Sequence, residues 1–437
     1  MSETVPVPEP DTDTDTDIEA PSLGDSLTLP CGAVLPNRTM KAALSESLAD
    51  ERGGPDERLR RLYRRWGSGG FGLILTGNVM VDARYLGEPG NVAVEDDRHL
   101  GALRSWADTA KADGTPVWMQ INHPGRQGNP VTTEGRTVAP SAVGLDIPGV
   151  PAPRALTDDE IVDIVERFAT TAEVAERAGF DGVEIHAAHG YLVNQFLSPH
   201  TNRRTDRWGG SIENRARFVL DVVARIRERV SPSFAVGLKL NSADFQRGGF
   251  EEGESRAVIA MLASTGLDLL EISGGSYESP AMVGKGTAAS TVAREAYFLD
   301  YAATVRELAG TVPLAVTGGF RTRAAMDEAL ASGACDVIGL GRPTATHPDA
   351  ARRLLDGTVS SLTSANTAVP VPRALATHRT VRTVDGLLDL QWHTDQLHRM
   401  GAGRDPDPRH SRIRAMVGAV ERNGIDAFRS RRRRSVS

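Results

Sequence analysis

Cysteine is nearly missing: Cys31 and Cys335 are the only two in 437 residues. That excludes a disulfide framework, a four-cysteine zinc site and a cysteine-ligated iron–sulfur cluster. A reducing cytoplasm is the expected location. Long apolar runs are missing too, with nothing approaching the roughly 18 residues of a membrane span, so no membrane partner is expected. Lysine is scarce, Lys41, Lys111, Lys239 and Lys285 being the only four among 50 basic residues. A lysine at a functional position therefore calls for a local explanation. The body of the chain also lacks an excess of charge. The formal net charge is −7, but residues 1–22 hold seven acids and no base, which leaves 50 acids and 50 bases for the rest. A balance of that kind gives no electrostatic footprint for nucleic acid.

What is there has a clear order. The length allows two or three domains of roughly 150 residues, or one large barrel. Residues 1–22, with the repeat DTDTDTD between prolines, are too polar to offset the entropy of ordering and read as a disordered acidic tail. They lack the basic and apolar regions of a secretory leader. Arg429 and Arg431 to Arg434 form a basic tip at the other end, read as a solvated terminus, with nucleic-acid or membrane contact as the alternative.

Between these ends, short β-branched or apolar runs alternate with amphipathic stretches. The runs predict strands at Thr39–Leu44, Gly72–Thr76, Pro116–Ile121, Gly182–His186, Ala235–Leu240, Leu269–Ser273, Leu314–Thr317 and Val337–Leu340. Helices are predicted at Asp56–Gly67, His99–Asp113, Asp158–Ala178, Ile212–Val230, Glu252–Ser264, Arg294–Leu308, Arg323–Ala331 and Pro348–Leu355. Thr157 and Ser211 have the chemistry of N-caps, and Gly179, Gly266, Gly310 and Gly333 that of helix stops. Eight such units predict an α/β protein, a (β/α)8 TIM barrel over residues 23–360. No Gly-x-Gly-x-x-Gly turn follows the first strand, which disfavours an open doubly wound sheet. Residues 361–437 read as a partly helical C-terminal extension. Its helix, Asp385–Met400, is expected to pack on the barrel or on a neighbouring subunit of a homo-oligomer.

Chemistry in such a barrel gathers where the strands end. After the first two strands come Ala43, Ser45 and Gly77. Gly318-Gly319 and Gly341-Arg342 follow the seventh and eighth. Glycine turns there let amide groups approach a phosphate, and Arg342 adds a bidentate donor, so a phosphorylated cofactor or substrate is expected. His186, His189 and Tyr191 cluster after the fourth strand. Two imidazoles can polarise one carbonyl oxygen while a phenol delivers a proton to carbon. The alternatives are satisfied core histidines, or a metal held by His123, His186 and His189. That set lacks a carboxylate at a strand end, and no metal is expected. Gln120 and Lys239 face the same mouth. An amide can meet a heterocycle edge and a cation can stabilise charge on a reduced ring, unless Lys239 is tied up with Asp244 or Glu271.

At this point the residues resemble a known family. Pro36–Ser45, Gln120–Arg126, Gly182–Tyr191, Asn194–His200 and the long segment Asn202–Arg217 are similar to the old yellow enzymes, flavin-dependent ene-reductases. The likeness covers about Leu29 to Leu355. It implies FMN across the barrel mouth, with its phosphate on Gly318, Gly319, Gly341 and Arg342 and its pyrimidine edge on Gln120. Ala43, Ser45 and Gly77 are implied near the ring, and Lys239 beside it. His186 and His189 match the pair that binds the substrate carbonyl, and Tyr191 the proton donor. The implied reaction takes hydride from NADH or NADPH through the flavin to an activated alkene, an enone-type small molecule. An NADH oxidase or a demethylating flavoprotein is the alternative on this scaffold, and a metal-dependent barrel hydrolase the alternative outside it.

Three departures stand out. Lys239 replaces an arginine common in the family, Ser45 a threonine or cysteine, and Ala43 a proline. Lysine keeps the charge but loses the planar fork. The paucity of cysteine separates the chain from larger relatives that carry an iron–sulfur cluster.

Overall fold

A computed structural model of the chain describes residues 20–133, 135–145, 150–275, 295–296, 298–362, 379–422 and 424. Most of the acidic tail, the arginine-rich tip and Lys285 lie outside these residues.

The eight strands form where the apolar runs predict them. They are β1 (Thr39–Lys41), β2 (Leu73–Leu75), β3 (Val117–Asn122), β4 (Gly182–Ala187), β5 (Ala235–Asn241), β6 (Leu269–Ser273), β7 (Leu314–Thr317) and β8 (Val337–Leu340). Each pairs with its neighbours in parallel. The sheet closes because β8 also pairs with β1, Leu340 opposite Lys41, which makes the (β/α)8 barrel. β1 is shorter than predicted: Ala42 still donates to the Leu340 carbonyl at 3.0 Å, and the chain then leaves the sheet towards Ser45.

Because side chains alternate across a strand, every second residue points into the barrel. The layer nearest the strand starts is apolar, with Met40, Leu75, Trp118, Leu269, Ala315 and Val337 in one cluster. Leu29 and Leu35, beside a small hairpin of Leu27–Thr28 and Val34–Leu35, join it and close that end. Trp118 fills the axis. A Cβ at Gly182 or Gly237 would come within 2.9 or 2.8 Å of its indole, so glycine is what lets the ring in. The inward residues one step further along are polar, and the site is built on them.

The outer helices are α1 (Glu57–Gly67), α2 (Leu100–Ala110), α3 (Asp158–Arg177), α4 (Ile212–Arg229), α5 (Glu252–Leu262), α6 (Leu299–Val305), α7 (Arg323–Ala331) and α8 (Ala350–Leu355). Asp56 caps α1, and Thr157 with Glu160 forms a capping box on α3. α3 buries Ile161, Ile164, Phe168 and Ala172, a three-and-four spacing that lays one face on the sheet, each large side chain contributing about 1.5–3 kcal/mol. α6 begins at Leu299, later than predicted: Glu295 and Ala296 lie outside the helix and Phe298 is its cap. Beyond the barrel come α9 (Arg379–Gly401) and α10 (Arg412–Glu421). α9 starts earlier than predicted, in a stretch whose threonines and valines have weak helix propensity. It docks on α1, where Arg61 donates to the Gly401 carbonyl at 3.0 Å.

Candidate active site

β4 carries Glu184 and His186 to the barrel interior, two residues apart. Past the end of β4 the chain turns sharply at His189, whose φ of 61° lies in the left-handed region. Strain of that kind costs on the order of 1–3 kcal/mol and persists only where neighbours enforce it. Here Asn241 accepts from the His189 amide at 3.2 Å, Gln127 donates to its carbonyl at 2.9 Å, and Asn194 accepts from the Gly190 amide at 2.8 Å. Tyr191 follows as the cap of a short helix, Leu192–Leu197.

The turn brings three rings together. The centroids of His186 and His189 lie 5.0 Å apart at 86°, and those of His186 and Tyr191 lie 4.8 Å apart at 66°. The Ala188 amide donates to His186 Nδ1 at 3.3 Å, which assigns the ring proton to Nε2. His189 Nε2 is hydrogen-bonded to the Ser273 hydroxyl at 2.9 Å. Burial, reinforced by Lys239, holds both imidazoles well below the usual histidine range, so they are neutral donors and acceptors. The Asn78 amide donates to the Tyr191 hydroxyl at 3.3 Å and to Ser45 Oγ at 3.5 Å.

Below this rim lies a buried polar floor. Gln120 stands opposite Glu184 in the β3–β4 register and donates to it at 2.6 Å. Lys239 stands opposite Glu271 in the β5–β6 register and pairs with it at 2.6 Å. Of the two partners the sequence left open for Lys239, Glu271 is the one engaged. Asp244 instead accepts from Asn194, Asn241 and the Phe250 amide. Burial and the neighbouring Glu271 carboxylate push Glu184 well above the carboxylate range, so it is protonated. Burial opposes ionisation of Glu271 as well, yet Lys239 keeps it below that range and charged. The floor therefore carries one cation, one carboxylate and one neutral acid.

A second buried network supports the loop after β1. Glu46 accepts from the Gly77 amide at 2.9 Å and from the Tyr63 hydroxyl. A Cβ at Gly77 would fall 2.0 Å from Glu46 Oε2, so only glycine fits there. Lys41 donates to the Leu75 carbonyl at 2.8 Å and sits 4.0 Å from the centre of the Trp66 ring. Burial lowers its pKa to about 8. Sequence reasoning missed Glu46, Glu184, Asn78 and Asn241, and named Glu271 only as one of two partners for Lys239. Glu184 and Asn241 had a signal, each standing two residues from a named site residue on its strand and so facing the same way.

At the seventh and eighth strand ends, Gly318 and Gly319 have φ of 141° and 92°. Among the described residues the amides of Gly318, Gly319 and Gly341 donate to no main-chain carbonyl. A Cβ at Gly341 would meet only Leu44, at 3.9 Å, so space is open there. Arg342 is paired with Asp389 of α9 at 3.1 Å. Unspent amide donors, open space and a guanidinium fit a phosphate, and the amide and ammonium of the floor fit the polar edge of a flavin. His123 belongs elsewhere: its Nδ1 accepts from the Gly125 amide at 3.1 Å and its ring packs on Tyr85. Among the described residues no three His, Cys, Asp or Glu side chains are grouped to hold a metal, and no helix is long and apolar enough to cross a membrane.

Fold and site together define a (β/α)8-barrel protein whose mouth fits a flavin and its phosphate. The chain belongs to the NADH:flavin oxidoreductase / NADH oxidase family, which matches residues 31–360. It is 41% identical over 346 residues to the NADH-dependent flavin oxidoreductase iliE of Hypocrea jecorina, covering 74% of this chain and 86% of that one. Among solved structures it resembles an old yellow enzyme homologue from Zymomonas mobilis, with a TM-score of 0.67 and 26% identity over 79% of this chain and 95% of the other. It also resembles a 2-naphthoyl-CoA reductase, with a TM-score of 0.72 and 28% identity over 79% of this chain, which spans only 54% of that longer protein.

Proposed function

We propose that this enzyme reduces the carbon–carbon double bond of α,β-unsaturated carbonyl compounds. The observation that carries the reading is the ring cluster of His186, His189 and Tyr191, with the His186 proton placed on Nε2 by the Ala188 amide. Gly318, Gly319, Gly341 and Arg342 would hold the phosphate of FMN and Gln120 and Lys239 its pyrimidine edge, with Ala43, Ser45 and Gly77 beside its ring. When bound, FMN supplies hydride from N5 to the substrate β-carbon after reduction by NADH or NADPH, and the name of the fungal relative favours NADH.

The protein does the rest. His186 Nε2–H donates to the substrate carbonyl oxygen. His189 Nε2 is tied to the Ser273 hydroxyl; in the tautomer with the proton on Nδ1, His189 is a second donor for that oxygen. Both gain strength as the oxygen becomes enolate-like, so they stabilise the transition state more than the ground state. Neutral imidazoles suit the task, since imidazolium would also bind unproductive anions. Tyr191 delivers its proton to the α-carbon, with Asn78 holding the hydroxyl in place. Two free thiols fit a reducing cytoplasm.

Two measurements test this. Protein reduced anaerobically by NADH should be reoxidised stoichiometrically by enones, whereas reoxidation by dioxygen alone would leave an NADH oxidase. In the oxidised enzyme, His186→Ala should weaken phenol binding, read from the charge-transfer band, by about 10- to 100-fold. That is the worth of one hydrogen bond to a charged group, about 1.5–3 kcal/mol. Unchanged affinity would remove His186 as the carbonyl anchor.

A further inference from the structure

We infer that α9, which lies beyond the residues matched by the family, braces the flavin seat at both ends, and that Asp389 sets the affinity for the cofactor's phosphate by orienting Arg342. This rests on the reading of Arg342 as a phosphate ligand.

Two contacts cross from α9 to the seat. At the phosphate end, Asp389 Oδ2 lies 3.1 Å from Arg342 Nη1. The Asp389 side chain is 6% exposed and that of Arg342 35%, so the carboxylate grips the guanidinium from the protein side and leaves its outer edge towards solvent. A guanidinium offers five N–H donors in one plane, and this contact uses one nitrogen. What it fixes is the direction of that plane, without which a long arginine side chain loses rotamer freedom on meeting an anion. Asp389 is held in turn on the buried face of α9. One turn on, His393 Nδ1 is hydrogen-bonded to the Asp389 carbonyl at 2.8 Å, and burial keeps that ring below the usual histidine range.

At the ring end, His398 Nε2 is hydrogen-bonded to the Glu46 carbonyl at 2.9 Å. Glu46 is the residue whose carboxylate takes the Gly77 amide, and it follows Ser45 directly. The nine residue steps from Asp389 to His398 span about 13.5 Å of helix. One rigid element therefore touches the phosphate donor and the loop beside the ring. Binding that orders either end stabilises the docked helix, and docking favours binding, because the two equilibria are linked.

The opposing effect is repulsion between Asp389 and phosphate. Orientation outweighs it here because Arg342 already neutralises the carboxylate, and charge-assisted pairing of an oriented guanidinium with phosphate is the stronger interaction. The experiment uses the full chain stripped of flavin and titrated separately with FMN and riboflavin, read by quenching of flavin fluorescence. Thermal unfolding without flavin checks that each variant folds. Arg342→Gln should weaken FMN and leave riboflavin alone; if FMN loses nothing, the phosphate reading fails whatever α9 does. Asp389→Asn should weaken FMN about tenfold with riboflavin unchanged. Asp389→Glu should restore most of that, and Asp389→Asn should add nothing to Arg342→Gln. With the Arg342 effect present, unchanged or tighter FMN binding in Asp389→Asn overturns the inference, as does an equal loss for both flavins. His398→Ala should weaken FMN and riboflavin alike; no change in either overturns the ring-side brace.

Discussion

At the rim of the barrel mouth, His186, His189 and Tyr191 come from one turn of chain, and the two imidazoles are neutral. One step deeper, Gln120, Glu184, Lys239 and Glu271 come from four different strands and hold a buried ion pair. His186 and Tyr191 at the rim are as deeply buried as the floor residues, with His189 more open, so burial alone does not decide charge. What differs is the partner. Each rim imidazole meets neutral groups and the field of Lys239, which disfavours protonation. The floor ammonium meets a carboxylate in register, which favours charge on both. The rim is thus suited to donating hydrogen bonds to a substrate that arrives uncharged, and the floor to keeping a permanent cation beside a cofactor.

The comparison breaks first at the rim. If Tyr191 is the proton donor, Tyr191→Phe should slow enone turnover by about 10²- to 10⁴-fold, the usual contribution of a positioned acid. Reduction by NADH, followed anaerobically by stopped flow, should keep its rate. Enone turnover within a few-fold of the parent would strip the rim of its acid and leave the imidazoles as binding groups only.

The floor is sharpened by removing its anion. Glu271→Gln strands Lys239 as a buried, unpaired charge, and breaking such a pair costs about 3–5 kcal/mol. Thermal or denaturant unfolding should show that loss. Lys239→Met in the same background should recover most of it, since a thioether fills similar space without needing a partner. If the double variant is no more stable than the single, Lys239 was not held as a cation by Glu271.

The same contrast explains what could be read from sequence. Rim residues lie within six positions of each other, so the pattern Gly182 to Tyr191 declares itself without knowledge of the fold. So do the barrel strands, because each is a continuous apolar run bounded by turn residues. The floor is spread across β3, β4, β5 and β6, and its pairs exist only through register: Gln120 with Glu184, Lys239 with Glu271. Of these, Glu184 looks like a solvated acid in a local window, while Glu271 stands beside Asp244 as a partner for Lys239 until register chooses it. Glu46 is harder still, since its partners Tyr63 and Gly77 are brought to it by the path of the chain after β1. The Arg342–Asp389 contact joins residues 47 apart across an element whose start propensity conceals. Sequence displays chemistry that is local and hides chemistry assembled by closure of the barrel.

The smallest effect tests whether the neutrality of the rim extends to the histidines around it. His123, its ring against Tyr85, and His398, on α9, are both lowered by burial to about 4, from an ordinary value of 6.5. In the unfolded chain each takes a proton near pH 6.5, whereas in the folded protein each resists until about pH 4. The unfolded state thus binds more protons across that window, and stability falls as pH drops through it. Above the window neither state is protonated and the full contribution is present; below it the contribution is lost. His123→Asn keeps an acceptor for the Gly125 amide and removes the titrating ring. Its melting temperature should therefore decline less steeply between about pH 6.5 and 4 than that of the parent, by the share of one proton. Parallel declines would mean that His123 charges as readily in the fold as out of it, and that neutrality is confined to the rim.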